Sequence, residues 1–163
     1  MHQFIMSPPC SDPSPHSFPK DALYQWQELY KLLIHIGCKI SLIPGPSSNP
    51  HFVSTSQHAF IANNTAVLSY NRHSNCQSSP YLHAWIREQD QFSDYKICQP
   101  ALHPDHPHPL FFSGSTDAIL IDGTLYFGYG PSSVHAIAND LSVKTKKPVV
   151  DISLKNTARF LID

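Results

Sequence analysis

The first regular pattern of apolar positions along the chain has helical spacing. Intervals of four, three, four and three residues separate Ala22, Trp26, Leu29, Leu33 and Ile36. Such intervals place these side chains on one face of an α-helix, which begins near Lys20. Gly37 follows at the position where a left-handed C-cap residue ends a helix, and a strand is then predicted at residues 39–43.

A similar order of elements recurs in the middle of the chain. Residues 59–61 and 66–70 are short apolar runs typical of strands. Ser79-Pro80 then supplies an N-cap and the proline favoured at the first helical position, which predicts a helix over 81–88. A further strand is predicted at residues 95–98.

The last third of the chain repeats the order again. Two strands are predicted at 118–121 and 125–127, and Asp122-Gly123 between them is a strong hairpin signal. Ser132 or Ser133 is predicted to cap the helix that follows. Its apolar side chains are Val134, Ile137, Ala138 and Leu141, and residues 149–154 form the closing strand.

These blocks predict an α/β protein of about three strand-strand-helix-strand units. Helices begin near residues 20, 80 and 133, so each unit has 50 to 60 residues. Such units bury their faces against neighbours, in a closed ring or a stacked array. Three units leave strand edges exposed, where we expect self-association or a second chain. Residues 159–163 resemble the start of another strand, so the chain is expected to stop within this architecture.

Composition and charge narrow the classes of function. The 163 residues carry a formal net charge of -1, so no basic field is present to hold nucleic acid. No signal peptide and no run of 18 apolar residues is found, which argues against export and membrane insertion. The four cysteines form no Cys-x-x-Cys pair, so a reduced, cytoplasmic chain is expected. Residues 1–19 read as a Pro/Ser-rich segment and 20–163 as the domain, and no cofactor is indicated.

Five segments occur in a characteristic order along the chain. They are Gln25-Trp26-Gln27-Glu28-Leu29, Phe60-Ile61-Ala62-Asn63, the hinge Phe112-Ser113-Gly114-Ser115-Thr116-Asp117-Ala118, Gly128-Tyr129-Gly130, and residues 154–160. Together they resemble the amidinotransferase and dimethylarginine dimethylaminohydrolase family, which includes arginine deiminase-related enzymes. The resemblance spans residues 20–160 and implies three blades of a five-bladed α/β propeller, the pentein fold.

The resemblance also implies a chemistry. In this family a cysteine near the C-terminus attacks the guanidinium carbon of an arginine derivative, and a histidine acts as general acid and base. Carboxylates hold the planar cation because they match its N–H donors. A guanidino small molecule is therefore the ligand that the resemblance implies.

Most charged positions of the family are replaced in this chain. The family hinge has the form Phe-Glu-Gly-x-Gly-Asp, in which Gly114 and Asp117 match. Ser113 replaces the glutamate and Thr116 replaces the second glycine. Ser132 stands where the family has an arginine after Gly-Tyr-Gly.

Further replacements lie on either side of the hinge. Ser56-Gln57 stand where the family has Pro-Asp, and a family arginine and glutamate fall on Cys76 and Ser79 if one gap is allowed. The family's Phe-Tyr-His-Leu-Asp would begin at Phe160, where no histidine follows. The apolar and glycine positions that build the fold are kept, whereas the charges that bind substrate are not.

This pattern predicts a truncated, degenerate relative without catalytic activity, because the residues of such a site act as a unit. Two alternatives stay open. One is the N-terminal part of a split guanidino-modifying enzyme that a second chain completes. The other is a non-enzymatic interaction module that uses exposed strand edges and a His-rich loop.

No intact catalytic set is predicted, and the candidate substrate-binding residues are Asn63, Gly114 and Asp117. Asp117 matches the family acid, although a carboxylate beside a turn is more often solvated or a cap. Asn63 ends a strand, and asparagine is also an ordinary residue of a left-handed turn. The turn is the preferred interpretation of Asn63.

His103, His106 and His108 are the candidate metal ligands. Their spacing matches no standard zinc pattern. The prolines around them predict an extended loop in which the imidazoles point in different directions. A metal site is therefore not the preferred interpretation of this loop.

Overall fold

The computed structural model describes residues 3–9, 20–45, 50–71 and 78–155. The strands in these ranges are β1 (Gln3–Met6), β2 (Lys39–Leu42), β3 (Ala59–Ala62), β4 (Thr65–Leu68), β5 (Lys96–Cys98), β6 (Ala118–Ile121), β7 (Thr124–Tyr129) and β8 (Val149–Ser153). The α-helices are α1 (Lys20–His35), α2 (Ser78–Glu88) and α3 (Ile137–Thr145). The chain forms two compact units, Met1–Thr55 and Ser56–Asp163.

The first unit is a strand-helix-strand motif. β1 pairs in parallel with β2, and α1 connects them. The predicted end of α1 is confirmed, since Gly37 has a φ of 83°. β1 was not predicted, because four residues in a proline-rich stretch carry too little periodicity to reveal a strand.

The exposure of α1 corrects one part of the sequence prediction. Ala22, Trp26 and Leu33 are half-buried as expected, and Trp26 stacks on Tyr30 with ring centroids 5.7 Å apart. Leu29 and Ile36 were predicted on the same face but are exposed. The five apolar residues predicted to share one face span a wider arc of the helix circumference than the side of α1 that is half-buried.

The second unit contains two three-stranded sheets of one design. Sheet B has the order β3-β4-β5 and sheet C the order β6-β7-β8. In each sheet an antiparallel hairpin is followed by a helix and then by a strand parallel to the second hairpin strand. The predicted strand-strand-helix-strand unit is therefore confirmed twice.

Both hairpins turn through left-handed residues. Asn63 and Asn64 have φ values of 47° and 55°, and Asp122 and Gly123 have φ values of 48° and 80°. Asparagine, aspartate and glycine tolerate this region better than other residues do, and such turns match the twist of a hairpin. The turn interpretation of Asn63 and the hairpin across Asp122-Gly123 are confirmed.

One hydrophobic core holds the second unit together. Its buried members are Phe60, Ala62, Val67, Leu110, Phe112, Ala118, Leu125, Phe127, Ile137 and Leu141. These side chains come from both sheets, from the segment before β6 and from α3. The α/β fold class is thus confirmed, and the sheets that the described residues form are open rather than closed.

Two predicted helix caps are wrong. α2 begins at Ser78, so Ser79 lies inside the first turn, where its hydroxyl donates to the carbonyl of Ser69 at 2.7 Å. α3 begins at Ile137 after an N-cap residue that makes no side-chain hydrogen bond. Ser132 and Ser133 point instead toward a carboxylate. Cys76 and the predicted strand at 159–163 lie outside the described residues.

Within the described ranges, no helix combines the length and the apolar character needed to cross a membrane.

Candidate functional site

The hinge before β6 is built around a glycine that no other residue can replace without strain. Gly114 is buried and has a φ of 62°. A Cβ atom placed on it would lie 2.5 Å from the carbonyl oxygen of Ser56, 2.7 Å from Oγ of Ser69 and 2.8 Å from the carbonyl oxygen of Ala59. Gly114 therefore acts through close backbone packing, and this packing positions Asp117 at the start of β6.

Asp117 is half-buried and is held by two hydroxyl groups. Ser132 donates to its Oδ2 atom at 2.5 Å, and Ser133 donates to the same oxygen at 2.6 Å. Distances of this kind are typical of hydroxyl donors to an ionised carboxylate. The backbone of Asp117 is also fixed, because its carbonyl accepts from the Gly128 amide at 2.7 Å.

Ser113 extends this arrangement into a chain of polar groups. Its amide donates to Oγ of Ser133 at 3.0 Å, and its own hydroxyl donates to Oδ1 of Asn71 at 2.9 Å. Asn71 in turn donates to the carbonyl of Gln57 at 3.2 Å. We call Asn71, Ser113, Asp117, Ser132 and Ser133 the serine network; Asp117 is its single ionisable member.

The glycines of Gly128-Tyr129-Gly130 allow a second close approach. A Cβ atom on Gly130 would lie 2.5 Å from the carbonyl oxygen of Leu154, and Gly130 has a φ of 152°. The Gly130 amide donates to the Ser133 carbonyl at 2.9 Å. This turn brings Ser132 and Ser133 back over the start of β6, which is why they meet Asp117 rather than capping α3.

The chemistry of the serine network follows from its donors and acceptors. The Ser132 and Ser133 hydroxyls both donate to Oδ2 of Asp117, so a guanidinium could be held by both oxygens of this carboxylate only by competing with a serine. The network contains no cysteine to act as a nucleophile and no histidine to act as a general base. The network is therefore suited to holding the hinge and the Gly-Tyr-Gly turn together.

The remaining candidate substrate-binding residue, Asn63, lies outside the serine network and makes a structural contact. Asn63 donates through Nδ2 to the carbonyl of Thr145 at 3.2 Å, at the end of α3.

The His-rich loop differs from its prediction. The three rings lie together, with centroid distances of 4.6 Å for His103 and His106, 5.6 Å for His103 and His108, and 5.2 Å for His106 and His108. The prediction that these imidazoles point apart is thus wrong. In the part of the chain that the structure describes, no group of three or more His, Cys, Asp or Glu side chains could hold a metal ion.

Sequence reasoning missed Asn71 as a partner of the hinge and the role of Ser133. Neither role can be found from neighbouring residues in the sequence, because Asn71 and Ser113 are separated by 42 positions and Ser133 and Asp117 by 16. The hinge does have a counterpart in the other sheet of the repeat. His58 precedes β3 as Asp117 precedes β6, and the His58 carbonyl accepts from the Ser69 amide at 2.9 Å, just as Asp117 accepts from Gly128.

Comparison with known proteins gives no match to any protein-family model and none to a curated protein. Among solved structures, the apo form of ArgZ, an arginine dihydrolase from the ornithine-ammonia cycle in cyanobacteria, matches 98% of this chain with a TM-score of 0.78 and 23% identity. A variant of dimethylarginine dimethylaminohydrolase with an S-methyl-L-thiocitrulline adduct matches 96% with a TM-score of 0.74 and 14% identity.

The chain has the fold of ArgZ and of dimethylarginine dimethylaminohydrolase. The resemblance drawn from the sequence motifs is confirmed at the level of the fold. The chain spans 23% of the apo ArgZ chain and 62% of the dimethylarginine dimethylaminohydrolase chain. It spans 58% of the separate N-terminal domain of ArgZ in its product-bound form, at a TM-score of 0.74 and 24% identity. This shared fold accounts for the repeated units, and the serine network joins the hinge to the residues just after Gly128-Tyr129-Gly130.

Proposed function

We propose that this chain is a degenerate, non-catalytic relative of the guanidino-modifying enzymes, with part of a five-bladed α/β propeller as its architecture. The observation that carries the proposal is that both Ser132 and Ser133 donate to one oxygen of Asp117. Where the family resemblance implies an arginine and a glutamate, this chain has Ser132 and Ser113. The reduced, cytoplasmic location expected from the cysteines belongs to the same proposal.

The energetic consequence is a weak hold on any guanidinium group. A variant of AgrE has been captured with L-arginine, and a variant of the ArgZ N-terminal domain with its substrate. In this chain the glutamate position of the hinge has no charge. A hydrogen bond to a charged group contributes about 1.5–3 kcal/mol, so each lost carboxylate weakens the affinity by at least about tenfold.

The proposal predicts no turnover of guanidino substrates. Purified chain incubated with L-arginine or an N-methylated arginine should release citrulline no faster than a blank without protein. The physical reason is that the serine network contains no cysteine or histidine, and that Oδ2 of Asp117 already accepts two hydrogen bonds. The measurement is a colorimetric or mass-spectrometric citrulline assay, with an arginine dihydrolase run in parallel to prove that the assay works.

Two variants decide the origin of any activity that is seen. Asp117→Asn removes the charge of the serine network, and Asp122→Asn removes a charge at the exposed hairpin turn. Citrulline release above the blank that survives Asp122→Asn but is lost in Asp117→Asn would contradict the proposal.

A second candidate function is the N-terminal part of a split guanidino-modifying enzyme. It is favoured by the match to 58% of the ArgZ N-terminal domain, which leaves room for a completing chain. Its test is co-expression with a polypeptide that carries the remaining units of such a domain, followed by the same citrulline assay. Activity in the pair alone would support it and would require Ser113 and Ser132 to be compatible with substrate binding.

A further inference from the structure

The strands of the two sheets of the second unit can be aligned residue by residue. β3 and β6 both begin with alanine, β4 and β7 both begin with threonine, and both hairpins have two-residue turns. Counted from these positions, Phe60, Ala62 and Val67 of sheet B correspond to Ile119, Ile121 and Tyr126 of sheet C. In each sheet the register places these residues on one face.

In sheet B this face is covered by the next helix of the chain. Phe60, Ala62 and Val67 are buried in the same core cluster as Ile137 and Leu141 of α3. Two polar contacts fix the joint, because Asn63 donates to the carbonyl of Thr145 at 3.2 Å and the Ala101 amide donates to Oδ2 of Asp140 at 2.9 Å. We call this packing of a helix on the face of the preceding sheet the sheet-helix joint.

In sheet C the corresponding face is bare. Phe60 is 4% exposed and its counterpart Ile119 is 57% exposed, while Val67 is 0% exposed and its counterpart Tyr126 is 36% exposed. β8 enlarges this apolar face, because Val150 pairs with Tyr126 and Ile152 with Gly128, and both isoleucine and valine are exposed. Sheet C therefore presents the acceptor half of a sheet-helix joint.

The first unit presents the other half of the joint. α3 and α1 have the same place in their motifs, each linking two parallel strands. Among the residues of α3, only Asn139 and Val143 are exposed, so α3 is covered on both sides. α1 is half-buried along one side, and an exposed apolar stripe runs directly beside the half-buried residues, formed by Leu29 and Leu32 and continued by Ile36 just after the helix.

We propose that two copies of this chain associate head to tail, with α1 of one copy packing on the bare face of sheet C of the other. Each chain carries both the acceptor face of sheet C and the apolar stripe of α1, so a second copy provides the matching surface for either one. The contact repeats a packing that the chain already makes between sheet B and α3. Because the joint uses two unlike surfaces, a single joint leaves one α1 and one sheet C uncovered, so the association either closes into a ring of two or more copies or extends further.

The test uses the full 163-residue chain and light scattering behind size exclusion over a range of concentrations. Wild-type chain should form dimers and larger species as concentration rises. Ile119→Asp removes the acceptor face and Leu32→Asp removes the helix stripe. Each should raise the dissociation constant at least about tenfold, because a carboxylate must be desolvated in an apolar contact. Val143→Asp, at an exposed apolar site outside both surfaces, should associate like wild type.

Mixing the two variants separates this arrangement from any other self-association. In the mixture, sheet C of the Leu32→Asp chain meets α1 of the Ile119→Asp chain, so one working joint is restored and growth stops at a one-to-one dimer. Circular dichroism checks that both variants are folded. The proposal is overturned if wild type stays monomeric at high concentration, if neither variant weakens association, or if the mixture remains monomeric.

Discussion

Gly114→Ala is expected to lower the free energy of unfolding by about 3 kcal/mol. The left-handed backbone contributes about 1–2 kcal/mol of this loss, since alanine is strained there. The rest comes from overlap, because the new Cβ atom would lie 2.5 Å from the carbonyl oxygen of Ser56 and 2.8 Å from that of Ala59. Both of these are backbone atoms, which cannot turn away as a flexible side chain can. Urea unfolding followed by circular dichroism measures the change.

Gly123→Ala is the matched control for this experiment. Gly123 has a φ of 80°, yet nothing lies within 4 Å of a Cβ atom placed on it. Its substitution should therefore cost only the backbone strain, about 1–2 kcal/mol. Equal losses for the two variants would show that Gly114 is kept for its backbone angle alone and would contradict the close packing of the hinge.

Leu141→Ala is the second large effect, with an expected loss of about 3 kcal/mol. Leu141 is fully buried in the core cluster that α3 shares with both sheets, and its truncation leaves a cavity between them. Val143→Ala on the same helix is the control, because Val143 is 70% exposed and alanine is the better helix former. A small loss for Leu141→Ala, similar to that of Val143→Ala, would argue against the packing of α3 between the sheets.

The parts of the fold that local chemistry controls were predictable from sequence. The helix ending at Gly37 and the hairpin across Asp122-Gly123 depend on spacing and on residues that tolerate left-handed angles. Both signals lie within a few positions along the chain. The strand-strand-helix-strand repeat followed from the same signals.

The candidate site was predictable only in part. Gly114, Asp117 and Ser113 stood out because they match or replace positions of a known hinge motif. That Ser132 and Ser133 hydrogen-bond to Asp117 rather than cap α3 depends on the path of the Gly128-Tyr129-Gly130 turn. Contacts of this range, like that of Asn71 with Ser113, arise only when separate elements come together and leave no periodic trace.

The exposure of α1 and of sheet C could not be read from sequence either. An apolar helix stripe predicts a covered face but does not say whether this chain or another covers it. Leu29 and Ile36 carry the same helical signal as Trp26, although they are exposed and Trp26 is half-buried.

The central claim is that a chain with the fold of ArgZ and dimethylarginine dimethylaminohydrolase uses Oδ2 of Asp117 to hold two serine hydroxyls rather than a guanidinium group. Its most direct test is a titration of isotope-labelled chain with L-arginine, followed by the amide signals of Asp117, Ser132 and Ser133. These signals are predicted to stay where they are at millimolar L-arginine. A saturable shift of the three signals that disappears in Asp117→Asn would contradict the claim.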